Sequence, residues 1–365
     1  MPRLPRRVRT AAIALSAIAA PLALPIRSAS DRLPRRELVG PDGRLVDVDG
    51  LEVHLVEAGP STGADGAPAV MLAHHFYGSV ATWRHVLPEL ASGARVVAHD
   101  RPGFGLTERP VVARGGPNPY TRAEQARLGW RVLDRLGIGE AVLVGCSAGG
   151  THVLEMYARE PDRVKGLVLL SPAITGDVGA PPALRPLLRS PQVRRIAPRV
   201  VERLVDDVPR ERVERSWHDP SRLTDEDVDA YRRLVRVEGW ARGLWESMIA
   251  EPPPDLRAVL RRIDVPTVVV AGRSDRTIAA HFNARTARSI PGAELVLLDD
   301  CGHLPQEERP EAVVAAVEGV IGNVRPDGQS EPRHSGSASS ASASASARRT
   351  AETSSTPVSA SESGR

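Results

Sequence analysis

Six short apolar runs constrain the fold of this 365-residue chain more than any other feature. They read PAVMLAHHF, ARVVAHD, EAVLVGCS, VKGLVLLSPA, VPTVVVAGRSD and AELVLLDDCGH. Each is rich in Val and Leu, lacks polar alternation and ends in Gly, Asp, Ser or His. Strands covered on both faces read this way. Between them stand segments with helical spacing: YTRAEQARLGWRVLDRLG, GTHVLEMYAREP, IAAHFNARTARSIP and PEAVVAAVEGVIG. In the first, Ala126, Trp130, Leu133 and Leu136 share a face, and Gly137 suits a C-terminal cap. Strand alternating with helix predicts an α/β fold with a mostly parallel sheet. RLVDVDGLEVHLVEAG alternates and turns at Asp49-Gly50, so the sheet opens on an antiparallel hairpin. Two hairpin strands and six runs make an eight-stranded sheet.

Residues 172–262 interrupt this rhythm with Pro, Arg and short amphipathic segments such as TDEDVDAYRRLVRVEGWARGLWESMIA. They predict a helical insertion after the sixth strand, with a capping box at Thr224 and Asp227. Trp217, Trp240 and Trp245 fall here. Helix packing explains such residues, and so does the lining of an apolar pocket. The core then comprises residues 31–171 and 263–324. Residues 325–365, rich in Ser and Ala, have too few bulky side chains to bury a core and predict a disordered tail.

Residues 1–30 read as a signal peptide or membrane anchor. Arg3, Arg6, Arg7 and Arg9 precede the uncharged run 11–26, and Ser28-Ala29-Ser30 offers a small-residue cleavage site. The run is short and broken by Pro21 and Pro25, which favours export over a membrane span. Three readings stand: a secretory signal, an uncleaved anchor giving membrane association, and a cytoplasmic extension. Net charge is only +3, and beyond the first ten residues Arg is balanced by Asp and Glu. That is a solvated surface rather than a nucleic-acid footprint. Hydrophobic content of 41% supports a buried core. Cys146 and Cys301 make no disulfide framework, and two small buried thiols explain them better than a bridge.

The chemistry centres on LVGCSAGGTHVLEMYA, where Ser147 lies at a strand-to-helix turn between Gly145 and Gly149. Side chains at those two positions would crowd a tight turn. Such an elbow holds a serine in a strained conformation with its hydroxyl exposed, and the following helix N-terminus favours developing negative charge. A serine needs a base. Of ten histidines, most have structural readings: His54 in the hairpin, His152 and His281 on helices, His334 in the tail. His303 follows the last strand at the edge where α/β sheets bind ligands. Asp275, just past the preceding strand, is the carboxylate that would hold its tautomer.

The order Ser147, Asp275, His303, with HDRPGFGLTERP, GCSAGG, GRSD and CGHLPQEERPE, resembles the α/β-hydrolase fold superfamily over residues 45–322. The resemblance is to the branch with a helical cap after the sixth strand. It implies Ser147 as nucleophile, His303 as base and Asp275 as acid, with Asp177 in SPAITGD as the alternative acid. It implies backbone oxyanion donors at Ala148 and at Phe76, where His75 replaces the family's usual Gly. It calls for no cofactor and no metal. Dehalogenases and epoxide hydrolases of this branch use an Asp nucleophile, and Ser147 argues against both.

The function expected is a serine hydrolase, foremost a carboxylic ester hydrolase acting through an acyl-enzyme on a small apolar ester. The alternatives keep the triad but apply it to a carbon–carbon bond, a lactone, an amide or cofactor-free haloperoxidase chemistry. A third class is a non-catalytic binding protein on the same scaffold.

Overall fold

The structure, a computed structural model, describes residues 32–61, 66–112, 115–174, 182–205, 207–208, 210–251 and 255–324. The signal-like segment 1–30, Asp177 and the tail 325–365 lie outside the described residues. Among the described residues, no helix is long and apolar enough to cross a membrane.

Eight strands form one sheet: β1 (Gly43–Val48), β2 (Leu51–Ala58), β3 (Ala69–Ala73), β4 (Val96–His99), β5 (Ala141–Cys146), β6 (Val164–Leu170), β7 (Thr267–Gly272) and β8 (Glu294–Leu298). Their spatial order is β1-β2-β4-β3-β5-β6-β7-β8. β1 pairs antiparallel with β2, and β2 antiparallel with β4; every later pairing is parallel. The hairpin turns where expected, with Asp49 at φ 52° and Gly50 at φ 82°. Two consecutive left-handed residues match the right-handed twist of the flanking strands.

Period-two geometry divides each inner strand between two cores. In β5, Leu143 faces one layer with α1 (Arg122–Arg135) and α2 (Ala148–Arg159), while Val142, Val144 and Cys146 face the other. Residues β3 to β7 are nearly all buried, which is why they read as unbroken apolar runs. Each Val or Leu so buried contributes about 1.5–3 kcal/mol. β8 departs from the expectation of burial on both faces. Leu295 to Leu298 are only half-buried because β8 ends the sheet and has a neighbour on one side alone.

Between β6 and β7 the assigned elements are helical: α3 (Pro191–Leu204), α4 (Arg210–Glu214), α5 (Asp225–Arg236) and α6 (Trp240–Ile249), with shorter turns. The capping box is present, the Thr224 hydroxyl accepting from Asp227 N at 3.2 Å and the Asp227 carboxylate from Thr224 N at 2.9 Å. Trp217 packs with the layer that holds Leu304 and Val313, and Trp240 packs with Phe104, Val235, Ala241 and Leu244. Two helices close the chain, α7 (Ala280–Arg288) and α8 (Pro310–Val324).

Candidate active site

The parallel register brings four loops to one edge of the sheet. Ala73 of β3 pairs with Gly145 of β5, so His74-His75-Phe76 leaves the sheet beside Cys146-Ser147-Ala148. Asp275 follows β7 and His303 follows β8, the next two strands beyond β6.

Ser147 sits between β5 and α2 with φ 52° and ψ −114°. This is a sparsely populated conformation for a residue with a side chain and costs about 1–3 kcal/mol. The surrounding hydrogen bonds enforce it. Ser147 N donates to Leu170 O at 2.8 Å, and the Ser147 carbonyl accepts from Ala173 N at 3.0 Å. Glycine is required on both sides. A Cβ on Gly145 would stand 2.4 Å from the Gly149 carbonyl oxygen, and one on Gly149 would stand 2.0 Å from the Ala73 oxygen. Ser147 occupies the N-cap position of α2 but makes no capping bond, unlike Thr121, Ser190 and Thr224 at their helices. Its hydroxyl is therefore left for other work.

Asp275 and His303 meet directly. His303 Nδ1–H donates to Asp275 Oδ2 at 2.8 Å, and both residues are buried. The other oxygen, Oδ1, accepts from Thr277 N at 2.7 Å and Ile278 N at 2.9 Å. With Nδ1 protonated, a neutral His303 presents Nε2 as an acceptor. Gly272 lets the two loops approach, since a Cβ there would lie 2.2 Å from the carbonyl oxygens of Cys301 and Gly302. The histidine loop is fixed from the helical side too. His303 N donates to Ser216 O at 2.7 Å, and Glu308 accepts from Gly302 N at 2.8 Å and His218 N at 2.7 Å. The Ser147 hydroxyl makes no hydrogen bond among the described residues, so no serine–histidine bond accompanies the histidine–aspartate bond.

Neither Phe76 N–H nor Ala148 N–H has an acceptor among the described residues. The peptide carrying the Phe76 N–H is held by its carbonyl end. His75 O accepts from His74 Nδ1 at 2.8 Å, Gly78 N at 3.1 Å and Arg101 Nη2 at 3.3 Å. A trans peptide then directs its N–H the opposite way. Arg101 is buried and also donates to His74 O at 2.9 Å. Burial lowers it to about 10, which leaves it cationic at neutral pH. His75, the departure from the family pattern, is buried near His303; burial pulls its imidazole down to about 4.

The remaining residues of the edge are structural. Asp100 Oδ2 accepts from His54 Nδ1 and Leu106 N, and Oδ1 accepts from Val80 N, each at 2.7 Å. Burial alone would raise its carboxyl, but the bonds from His54 and Leu106 outweigh this and hold it at about 2. His54 thus has a buried partner that its place in a hairpin did not announce. Cys146 and Cys301 are free, and burial raises both thiols well above their ordinary value. Among the described residues no His, Cys, Asp and Glu group forms a metal site. Arg101 and Glu307 lie inside quoted motifs but, like Tyr231, showed no role in the sequence, because each acts through partners distant along the chain.

The family model for the alpha/beta hydrolase fold matches residues 68–310. The chain is 30% identical to a 2-hydroxymuconate semialdehyde hydrolase of Pseudomonas sp. (strain CF600), over 73% of this chain and 89% of that protein. It is 29% identical to epoxide hydrolase A of Mycobacterium tuberculosis, over 76% and 96% respectively. Among solved structures it is similar to a thermophilic esterase from Thermogutta terrifontis, with TM-score 0.61 and 25% identity over 77% of this chain and 97% of that one. A mostly parallel eight-stranded sheet, a serine on a strained strand-to-helix turn and these matches agree: the chain belongs to the α/β-hydrolase fold family and is a hydrolase.

Proposed function

We propose that the protein is a serine esterase that cleaves small apolar carboxylic esters through an acyl-enzyme. The observation that carries this reading is the Asp275–His303 hydrogen bond at 2.8 Å beside a serine held at φ 52°. In this mechanism His303 Nε2 takes the proton of Ser147 as Oγ attacks the ester carbonyl. The oxyanion forms between the N–H groups of Phe76 and Ala148, both without another acceptor. His303 passes the proton to the leaving alkoxide, then takes one from the water that attacks the acyl carbonyl and gives it to Ser147 Oγ as the acid leaves. Asp275 keeps Nδ1 protonated and stabilises the imidazolium. The absent serine–histidine bond is compatible with this, since such bonds often tighten only once substrate arrives. Apolar residues beside the oxyanion loop, Phe76, Tyr77, Phe104, Trp240 and Leu244, suit an apolar acyl group.

A second reading has specific support. The likeness to a 2-hydroxymuconate semialdehyde hydrolase at 30% identity favours attack by the same serine on a carbonyl next to a carbon–carbon bond. Two assays separate the readings. A fluorophosphonate probe should label Ser147, and p-nitrophenyl esters of graded acyl length should turn over with a preference for short chains. Labelling without ester turnover, together with cleavage of a vinylogous 1,5-diketone, would replace the first reading by the second. Failure to label would remove both.

A further inference from the structure

A buried polar chain crosses from the oxyanion loop to the helical segment. His75 Nδ1–H donates to Phe76 O at 2.7 Å, which leaves Nε2 as the free ring nitrogen. Tyr231 of α5 places its hydroxyl 3.3 Å from that Nε2 and 2.8 Å from Glu307 Oε1. All three side chains are buried, and Glu307 Oε2 has no hydrogen-bond partner among the described residues. Gly78 covers the ring so closely that a Cβ there would lie 3.0 Å from Nε2.

Proton counting makes the chain informative. Nδ1 faces a carbonyl, an acceptor only, so it must carry a proton. Tyr231 has one hydroxyl proton and two acceptors within reach. If Glu307 is a carboxylate, that proton turns to Oε1 and the buried His75 Nε2 is left without a donor from the chain. If Glu307 is protonated, it donates to the Tyr231 oxygen, Tyr231 donates to Nε2, and every link is made. An imidazolium at His75 with a carboxylate at Glu307 holds the same number of protons but buries two charges, which is costly.

We infer that His75, Tyr231 and Glu307 form a one-proton chain that fixes the oxyanion loop, and that the loop keeps its working position only while Glu307 carries the proton. His75 and Tyr231 are positioning residues: His75 Nδ1–H holds the Phe76 carbonyl, so they act on the Phe76 N–H through that residue's own backbone. The inference rests on the reading of Phe76 as an oxyanion donor. Of the charged groups around the chain, Asp227 favours the protonated form of Glu307 and Arg84 opposes it. Glu307 faces Arg84 at 3.5 Å from the turn after β3, Tyr231 and Asp227 from α5, and the Cys146 thiol from β5. Arg84 is itself engaged by Asp227. Burial raises Glu307 to about 7 against the pull of Arg84. His75 faces His303 and Arg101, and the Arg101 cation joins burial in keeping it neutral.

The test is the pH dependence of kcat for ester hydrolysis by the full chain, from pH 6 to 9, with fluorophosphonate labelling in parallel. In the unaltered protein kcat should fall above neutrality, by up to about tenfold per pH unit until the loosened loop's residual rate is reached. Glu307→Gln should remove that fall, because an amide N–H donates to Tyr231 at every pH. Tyr231→Phe should lower kcat about tenfold at neutral pH, with KM nearly unchanged and no fall above neutrality. An unchanged alkaline fall in Glu307→Gln overturns the inference, as does a Tyr231→Phe enzyme with the original kcat and profile. If Ser147 is not labelled at any pH, the serine-hydrolase reading fails and takes this one with it. If labelling succeeds and the fall persists in the Gln variant, the proton chain alone is wrong.

Discussion

The Arg101 guanidinium donates to the carbonyl oxygen of His75 across 3.3 Å, and this bond helps to aim the peptide that presents the Phe76 N–H. A single buried cation therefore orients a neutral backbone donor. Arg101→Lys keeps the charge but offers one nitrogen where the guanidinium uses two, Nη2 toward the His74 and His75 carbonyls and Nη1 toward Gln125 Oε1. We expect kcat to fall about 10- to 100-fold with KM within about twofold, because the lost donor acts on the transition state. Steady-state kinetics with a short-chain p-nitrophenyl ester checks this. A rise in KM at constant kcat would assign Arg101 to substrate binding instead.

Asp275→Asn should lower kcat by about 10⁴-fold while leaving the fold intact. The reason lies in the carboxylate's two oxygens. Thr277 N and Ile278 N both donate to Oδ1, so the Asn oxygen must stay there and its amide must face His303. An amide facing Nδ1 donates, and the histidine is forced into the wrong tautomer. Asp177→Asn should change kcat by less than about twofold. Reversed results in the two variants would move the acid to the loop after β6.

Gly149→Ala should both destabilise the protein and slow it. The new methyl would lie 2.0 Å from the Ala73 carbonyl oxygen and 2.8 Å from that of His74, backbone atoms that cannot step aside. Relief requires β3 and the elbow to part, at a cost of about 1–3 kcal/mol. Urea unfolding gives the stability change, and kcat reports the displaced oxyanion loop. Stability equal to the parent would show that the elbow yields easily.

Asp100 sets an acid limit to stability. Its folded carboxyl is held at about 2, below the ordinary 3.8. The folded state therefore binds fewer protons than the unfolded state between these values. The contribution is complete above pH 3.8 and is lost as pH falls toward 2. Asp100→Asn should lose stability at neutral pH, by about 3 kcal/mol or more, since His54 would lose its anionic partner. It should also show a flatter decline between pH 4 and 2. Chemical denaturation at several pH values measures both, and parallel pH curves for the two proteins would exclude this role.

The sheet and the elbow were legible in the sequence because both are local. A strand buried on two faces must be apolar along its length, and a serine forced to φ 52° needs Gly145 and Gly149 beside it. Asp275 and His303 stood out by position, each a few residues past a strand end, and the structure brings them within 2.8 Å. The supports were not. Tyr231 lies 156 residues from His75 and 76 from Glu307, and at helical spacing a tyrosine reads as packing. His54, in β2, and Asp100, just past β4, are 46 residues apart, and neither position shows a pair. Long-range polar bonds leave no periodic trace, so only the folded arrangement reveals them.

Glu308 has a consequence for redesign. Its two oxygens grip the histidine loop at Gly302 and the segment after α4 at His218, while Ser216 receives the His303 N–H. The α4 end of the helical segment is thus fastened to the His303 loop itself. Substitutions there would disturb chemistry whenever they disturb shape. α3 and α6 are joined instead to each other, through Arg194 and Glu246, and have no such tie to His303 among the described residues. Libraries of variants should therefore concentrate on α3 and α6, where diversity leaves His303 where it is.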